Sequence, residues 1–333
     1  RGLMGMGRRK KHSPKHGSLA YLPRGRASRW RARVRNWPDV KGEPRLLGFL
    51  AYKAGTAHTV IIDNREGSLT FGKEIVVPVT ILDAPPMIAC ALRAYQLTEN
   101  GLKAIGEAWS DKLPPEISRV MIPPKPDPRK LEVIERSIDK IHEVRVIMAT
   151  QPRLTSIGKK SPDILEVKVG GGSPKEALEY AKGLLGKEVR ISDVFQKGQY
   201  LDTLSITKGK GVQGPVKRWG IILKHHKSRK TRRQVGTLGP WNPSFVMYSV
   251  PRAGQMGFFQ RTEYNKQVLE LGTDGSKITP KGGFKHYGII RGDFAIISGS
   301  TPGPVKRAVV LRYPMRAPEQ AEPPRIEYIS LMG

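Results

Sequence analysis

The chain has 333 residues, with 58 lysines and arginines against 29 aspartates and glutamates, which gives a formal net charge of +29 at pH 7. This excess of positive charge argues against an ordinary soluble enzyme and favours nucleic acid as the partner. A single cysteine, Cys90, excludes an internal disulfide and a zinc module built on paired cysteines.

A membrane is not expected as the partner. No apolar run approaches the roughly 18 residues of a spanning helix. Glycine and proline interrupt the basic segments, whereas a basic helix that lies on a membrane needs a coherent apolar face. The start of the chain lacks the apolar core of a signal peptide. We therefore expect a soluble, cytoplasmic protein.

A basic N-terminal arm is predicted over residues 1–43. Residues 1–36 contain twelve lysines and arginines and no acid, and glycine, proline and serine interrupt them, so one amphipathic helix is not expected. A solvated, disordered tail is one interpretation. Trp30 and Trp37 favour an arm that becomes ordered on RNA, because large aromatic side chains can stack on bases or anchor on the protein body.

The first part of a β-barrel is predicted over residues 44–82. Runs rich in β-branched residues occur at 59–62 and 74–82, and a less branched run follows at 87–95. Such runs are typical of strands. They indicate a sheet or barrel that begins directly after the arm.

An α+β insert is predicted over residues 83–190, which hold 15 of the 29 acids against 18 bases. Apolar residues three or four apart predict one helix, and Ser173 followed by Pro174 is a start signal for another. The predicted elements are helices over 129–142 and 174–185 and strands over 144–148 and 164–169.

The second part of the barrel is predicted over residues 191–312, including a basic loop at about 224–244. Short apolar runs separated by glycine and proline are typical of barrel strands. These runs lie at 245–250, 287–290, 294–297 and 305–311. Residues 313–333 are rich in proline and nearly neutral and are predicted to be a surface tail. The predicted fold is mainly β, with a barrel, an α+β insert and two basic extensions.

Residues 203–262 contain twelve lysines and arginines and no aspartate or glutamate. Six of these charges lie within residues 224–233, and repulsion at that density disfavours a compact, self-packed arrangement. A phosphate backbone would relieve the repulsion. The segment therefore predicts a surface that binds a polyanion.

The pattern of a dinucleotide-binding loop occurs at residues 209–214, Gly-Lys-Gly-Val-Gln-Gly. A dinucleotide site needs a helix directly after the glycines, but residues 215–223 favour a strand, and no acid occurs before Glu263 to bind a ribose. The glycines instead allow the backbone to approach phosphates closely, with charge from Lys208 and Lys210 beside them. A flexible turn is the alternative.

Catalytic and metal-binding constellations are not expected. His12 and His16 stand four residues apart, and His225 and His226 are adjacent, but cations surround both pairs and no Cys, Asp or Glu lies nearby to complete a metal site. The acid-free segment offers no carboxylate pair, and the chain has no Gly-x-Ser-x-Gly motif. We expect neither an enzyme nor a bound cofactor or metal.

Trp241 stands between Pro240 and Pro243 at the end of the cationic run. This context favours the tip of a long loop, where the indole could stack on a nucleobase. A tryptophan folded back onto the barrel is an equally acceptable interpretation.

Four long motifs together resemble the universal ribosomal protein L-three family of the large subunit, in its archaeal and eukaryotic form. They are residues 12–24, 208–219, 239–243 and 250–265. The resemblance implies a non-enzymatic structural protein with a Greek-key-like β-barrel on 23S-type rRNA, and it implies a role in subunit assembly. It also implies a loop that reaches toward the peptidyl transferase centre.

In this resemblance the loop tip is Pro240, Trp241 and Asn242, and the stem is residues 224–233. Many eukaryotic members have a histidine about twelve residues before the tip tryptophan, where this chain has Arg229, so a modification of that histidine is not carried over. The insert at 83–190 resembles the archaeal and eukaryotic forms.

The predicted partners are large-subunit rRNA and neighbouring ribosomal proteins, with no membrane and no small-molecule substrate. An RNA-modifying enzyme that binds a nucleotide-like cofactor at residues 209–214 and a DNA-compacting protein are the alternatives. The residues expected to bind rRNA are Arg8, Arg9, Lys10, Lys11, His12, Lys15, Arg24, Arg26, Arg29, Trp30, Lys208, Lys210, Lys217, Arg218, Trp219, Lys224, His225, His226, Lys227, Arg229, Lys230, Arg232, Arg233, Trp241, Arg252, Gln255 and Arg261.

Overall fold

The computed structural model describes residues 16–318 and 322–330. The chain divides into two compact units. The barrel unit consists of residues 29–206 and 260–333, and the basic unit consists of residues 1–28 and 207–259.

The described residues contain fifteen strands, three α-helices and five short 3-10 turns. In chain order the strands and helices are β1 (Arg45–Leu46), β2 (Gly48–Ile62), β3 (Glu74–Asp83), β4 (Met87–Thr98), β5 (Gly101–Trp109), α1 (Pro128–Arg136), β6 (Glu143–Thr150), β7 (Ile164–Gly170), α2 (Pro174–Leu184), β8 (Glu188–Val189), β9 (Tyr200–Ile206), β10 (Val212–Gln213), α3 (Pro215–Trp219), β11 (Gly254–Gln255), β12 (Gln260–Gly272), β13 (Phe294–Ser298), β14 (Ala308–Arg312) and β15 (Ile326–Ser330). The 3-10 turns are Pro115–Arg119, Ile138–Lys140, Pro152–Leu154, Ile191–Asp193 and Gly275–Ile278.

Six antiparallel strands of the barrel unit form a closed barrel, in the order β2, β3, β13, β12, β9 and β14. The ring closes because β14 pairs with β2 as well as with β9. The spatial order β14-β9-β12-β13 is that of a Greek key, in which the fourth strand returns beside the first. Phe49 and Leu50 of β2 and Ile81 of β3 are fully buried. The prediction of a mainly β, Greek-key-like barrel is confirmed.

The second sheet of the barrel unit has the order β1-β7-β6-β4-β5, with β8 on β4. Helix α2 buries Leu178 and Ala181 and begins at the predicted cap, Ser173, with Pro174 at the first position. Glu176 completes a capping box with Ser173, which the sequence analysis did not predict. Helix α1 begins near the predicted residue but ends at Arg136, and a 3-10 turn follows. A sheet with helices packed on it matches the α+β character predicted for this part of the chain.

Two segments of residues 191–312 that were predicted as strands, 245–250 and 287–290, do not form regular strands. Residues 245–250 are irregular and largely exposed, because a strand propensity is realised only where a partner strand and a packed face exist. Residues 287–290 contribute only an isolated bridge between Phe284 and Gly288. Strand β15, which the sequence did not predict, forms by pairing with β2. Among the described residues, no helix is both long and apolar enough to cross a bilayer.

Candidate nucleic-acid interface

The base of the basic unit is a short ladder formed by β10 and β11. The amide of Lys210 donates to the carbonyl of Met256 at 3.0 Å, and the amide of Met256 donates to that of Gly211 at 2.8 Å. Gly257 has a φ of +72°, and a Cβ there would lie 2.0 Å from the Lys208 carbonyl oxygen. The two ends of segment 207–259 therefore approach so closely that only glycine fits at position 257.

Helix α3 directly follows Gly214, which corrects the prediction of a strand over residues 215–223. Pro215 has a φ suited to the first helical position and no N–H to leave unpaired, and Gly220 ends the helix with a φ of +69°. The helix is only five residues long. No acid follows it before Glu263, so the glycine pattern still lacks the group that binds a ribose in a dinucleotide site.

Trp219 lies in the interior of the basic unit and is 4% exposed. Its indole N–H donates to the Arg252 carbonyl at 3.0 Å. The Arg24 guanidinium lies 3.8 Å from the centre of the ring and donates to the Arg218 carbonyl at 2.6 Å. A Cβ at Gly17 would lie 2.8 Å from the ring. The ring therefore contacts the arm at Arg24 by a cation–π interaction and at Gly17 by close packing.

Arg218 also binds the backbone of its own unit. Its Nε donates to the Gln255 carbonyl at 3.0 Å, and its Nη1 donates to the Arg252 carbonyl at 3.0 Å. The Gln255 side chain donates to the Gly257 carbonyl at 3.1 Å. Because residues 1–28 and 207–259 contain no carboxylate, backbone carbonyl oxygens take the place of acidic partners here.

Most of the other predicted cations of the basic unit face solvent. The Lys224 amide donates to the Arg232 carbonyl at 3.1 Å, which folds the stem into a turn, and the rings of His225 and His226 lie 4.1 Å apart. Lys224 is half-buried. The exposed predicted residues are Arg26, Lys208, Lys210, Lys217, His225, His226, Lys227, Arg229, Lys230, Arg232, Arg233 and Arg252.

The predicted loop tip is also exposed. Trp241 is 93% exposed, and its neighbours Pro240 and Asn242 face solvent as well. Two further aromatic side chains, Phe245 and Tyr248, are exposed in the same segment. Sequence reasoning missed these two as candidate binding residues because the apolar run was interpreted as a strand. Exposed aromatic rings among cations are the arrangement that stacks on unpaired bases.

Three predicted residues belong to the barrel unit. Arg29 and Trp30 are exposed, and Arg261 is half-buried. Arg31 was not among the predicted residues. Its pKa is lowered, mainly by burial and to a smaller extent by the positive charge of the neighbouring Arg29. Trp37 is buried, and its ring lies 2.9 Å from the position of a Cβ at Gly48.

The remaining predicted contacts, Arg8, Arg9, Lys10, Lys11, His12 and Lys15, lie outside the described residues. Within the part of the chain that the structure describes, no group of three His, Cys, Asp or Glu side chains could hold a metal ion. The geometry therefore brings together a cationic stem, an exposed aromatic tip and a tightly bonded base, all in the basic unit.

The chain matches the family model described as Ribosomal protein L3 over residues 6–330. It is 46% identical over 327 residues to the large ribosomal subunit protein uL3 of Methanothermobacter thermautotrophicus, covering 96% of this chain and 97% of the relative. It is 50% identical over 328 residues to the uL3 protein of Pyrobaculum calidifontis, covering 95% of this chain and 97% of that relative. It is 49% identical over 325 residues to that of Methanothrix harundinacea, covering 96% and 97%. The chain belongs to the ribosomal protein L3 family.

Proposed function

We propose that the basic unit of this chain binds 23S-type rRNA, and that the chain is thereby a structural constituent of the large ribosomal subunit. The family is one of ribosomal proteins rather than enzymes, and the archaeal relatives are proteins of the large subunit. The observation that carries the proposal is the charge of the basic unit. Residues 1–28 and 207–259 contain nineteen lysines and arginines and no acid. A polyanion such as a phosphate backbone compensates this charge.

The two kinds of side chain in the unit have different roles in this proposal. The exposed cations of the stem bind phosphates independently of sequence and release counterions as they do so. Trp241 stacks on an unpaired base at the loop tip, which extends toward the peptidyl transferase centre. Arg24 and Arg218 maintain the base from which the loop projects, because their guanidinium groups bond to backbone carbonyls.

The barrel unit contains all 29 acids of the chain and has a regular closed core. In this proposal it fixes the orientation of the chain on the particle surface and contacts neighbouring large-subunit proteins, while the basic unit orders rRNA and supports assembly. The chain acts in the cytoplasm as part of the ribosome.

The proposal is tested by sedimentation and by salt-dependent RNA binding. We expect the tagged chain to remain with the large subunit at moderate salt. Replacing the six lysines and arginines of residues 224–233 by glutamine should make the negative slope of log affinity against log salt less steep by about four to five, if each charge contacts one phosphate. Six exposed cations of the barrel unit, replaced in the same way, serve as the control. Equal competition by duplex DNA, or migration free of the subunit, would contradict the proposal.

A further inference from the structure

Strand β2 continues beyond the barrel and forms a three-stranded outer sheet with β3 and β15. Val60 of β2 lies opposite Val76 of β3 on one side and opposite Tyr328 of β15 on the other. Directly opposed residues in antiparallel strands point to the same face. These three side chains therefore form a row across one face of the outer sheet.

The two faces of the outer sheet have different environments. Thr59 and Ile61, on one face, are buried, whereas Val76 is 68% exposed and Tyr328 is 54% exposed on the other. An exposed face of an antiparallel sheet normally carries polar side chains. The run at 75–79, Ile-Val-Val-Pro-Val, lacks that alternation and has the pattern of a strand covered on both faces.

The loop between β2 and β3 carries two further exposed apolar side chains. Leu69 is 98% exposed and Phe71 is 57% exposed. The loop is ordered around the buried Asp63 carboxylate, which accepts hydrogen bonds from Arg65 Nε at 2.8 Å and Thr70 Oγ1 at 2.5 Å. These bonds hold the pKa of Asp63 well below its usual range, and the bond from Arg65 has the largest effect. The protein thus holds the two apolar side chains in solvent on a well-bonded loop.

The charge around this surface is opposite in sign to that of the whole chain. Residues 58–78 and 322–330 contain five acids and three lysines or arginines, in a chain of net charge +29. A phosphate backbone gains nothing from such a surface. A protein that presents apolar side chains with cations around them is complementary to it.

We propose that the outer apolar face, defined by Val60, Leu69, Phe71, Val76 and Tyr328, docks a neighbouring protein of the large subunit through an apolar patch rimmed by lysines and arginines. This inference rests on the proposed function, since it requires the chain to be in that particle.

Two substitutions to lysine distinguish a protein from RNA on this face. Leu69→Lys with Val76→Lys removes apolar contact and adds repulsion toward a cationic partner, while it adds attraction for RNA. We expect one protein to dissociate from large subunits that contain the variant, at least about tenfold more readily than from the parent particle. Ile122→Lys with Val133→Lys is the matched control, because both side chains are exposed and apolar but lie in the insert. That variant should retain every protein.

Photo-crosslinking identifies the occupant directly. A photoactivatable phenylalanine analogue at Leu69 or Tyr328, in purified large subunits, should form an adduct with a lysine- or arginine-rich peptide of another subunit protein, and the analogue at Ile122 should not give that adduct. An adduct with rRNA, with a second copy of this chain or with its own N-terminal residues would overturn the proposal, as would no adduct at either position.

Sedimentation distinguishes a failure of this docking proposal from a failure of the proposed function. A double-lysine variant that enters the subunit and loses no protein contradicts the docking proposal alone, whereas an unsubstituted chain absent from the subunit contradicts both.

Discussion

Trp219 and Trp241 lie 22 positions apart in one acid-free segment, and their environments are opposite. Trp219 is 4% exposed beneath Arg24, and Trp241 is 93% exposed. The buried ring packs within the folded basic unit, whereas the exposed ring is available to a partner. Identical side chains in similar sequence contexts therefore have separable roles.

Trp241→Ala should leave folding and entry into the large subunit unchanged but alter the rate of elongation, because it removes a stacking contact of about 1–3 kcal/mol and no intramolecular packing. Elongation by purified mutant ribosomes measures the effect, and Trp241→Phe should restore part of it. Trp219→Ala is the contrasting variant. It should release the described residues of the arm, seen as faster proteolysis of residues 16–28. Normal elongation by the Trp241→Ala ribosomes would refute the loop-tip assignment.

The buried Asp83 makes the stability of the barrel unit depend on pH. It is 2% exposed, and the Tyr287 hydroxyl donates a hydrogen bond to it at 2.7 Å. Burial raises the pKa of Asp83 from 3.8 to about 6. The folded chain therefore holds this proton more tightly than the unfolded chain does. The resulting stabilisation is fully present below the unfolded pKa and is lost as the pH rises through the folded pKa.

Asp83→Asn should abolish this dependence, because an amide carries no charge and still accepts the bond from Tyr287. Relative to the parent, the gain in unfolding free energy should be larger at pH 7.5 than at pH 4.5 by on the order of 2 kcal/mol. Urea unfolding at the two pH values measures it. Asp274 is the control, because it is exposed and hydrogen bonds from Ser276 lower its pKa. Asp274→Asn should show no such gain. Equal gains at both pH values for Asp83→Asn would contradict the assignment.

At the scale of elements, the ladder between β10 and β11 depends on close backbone approach. Gly257→Ala should open the base of the loop, because the new Cβ would lie 2.0 Å from the Lys208 carbonyl oxygen. Gly211→Ala is a matched control, since its φ of +63° is equally strained but nothing lies within 4 Å of the new Cβ; it should cost only about 1 kcal/mol. Hydrogen exchange at the Met256 amide compares them. Equal exchange in the two variants would show that the close approach is not required.

The ion pair between Asp202 of β9 and Arg312 of β14 links neighbouring barrel strands. The two groups are 2.6 Å apart, and their side chains are 0% and 5% exposed. Asp202→Ala should destabilise the barrel by about 3–5 kcal/mol, because it leaves a buried cation without its partner. Glu132→Ala breaks an exposed pair with Arg136 on α1 and should cost less than about 1 kcal/mol. Urea denaturation compares the two, and similar losses would count against a special role for the buried pair.

The elements that the sequence predicted are those whose signals are local. Ser173 and Pro174 identify the start of α2, and branched apolar runs identify β3 and β13. Helix α3 was missed because five residues between a proline and a glycine are too few to show a helical period. Strand β15 was missed because its partner, β2, lies far away in the sequence.

For the whole molecule, composition predicts a surface suited to a polyanion and places its densest positive charge at residues 224–233. It could not separate cations that face solvent from cations that bond to the protein's own backbone. Arg218 and Arg229 are equally basic in the sequence, but only the folded chain shows that Arg218 bonds to two carbonyls. The outer apolar face could not be predicted from the sequence either, because an apolar run such as 75–79 does not show which of its two faces remains exposed.

The closure of the barrel through β2 and β14 has a consequence for the synthesis of the chain. Tyr52 pairs with Ala308, so most of the chain is translated between these two strands. The hairpin of β2 and β3 can form early, but its free edge must wait for the last barrel strand, and bringing such distant segments together is slow. The nascent protein therefore carries an open sheet edge from the completion of β3 at Asp83 until β14 begins at Ala308. Until β14 covers it, that edge is a template for pairing with other chains, so the topology exposes the unfinished protein to aggregation.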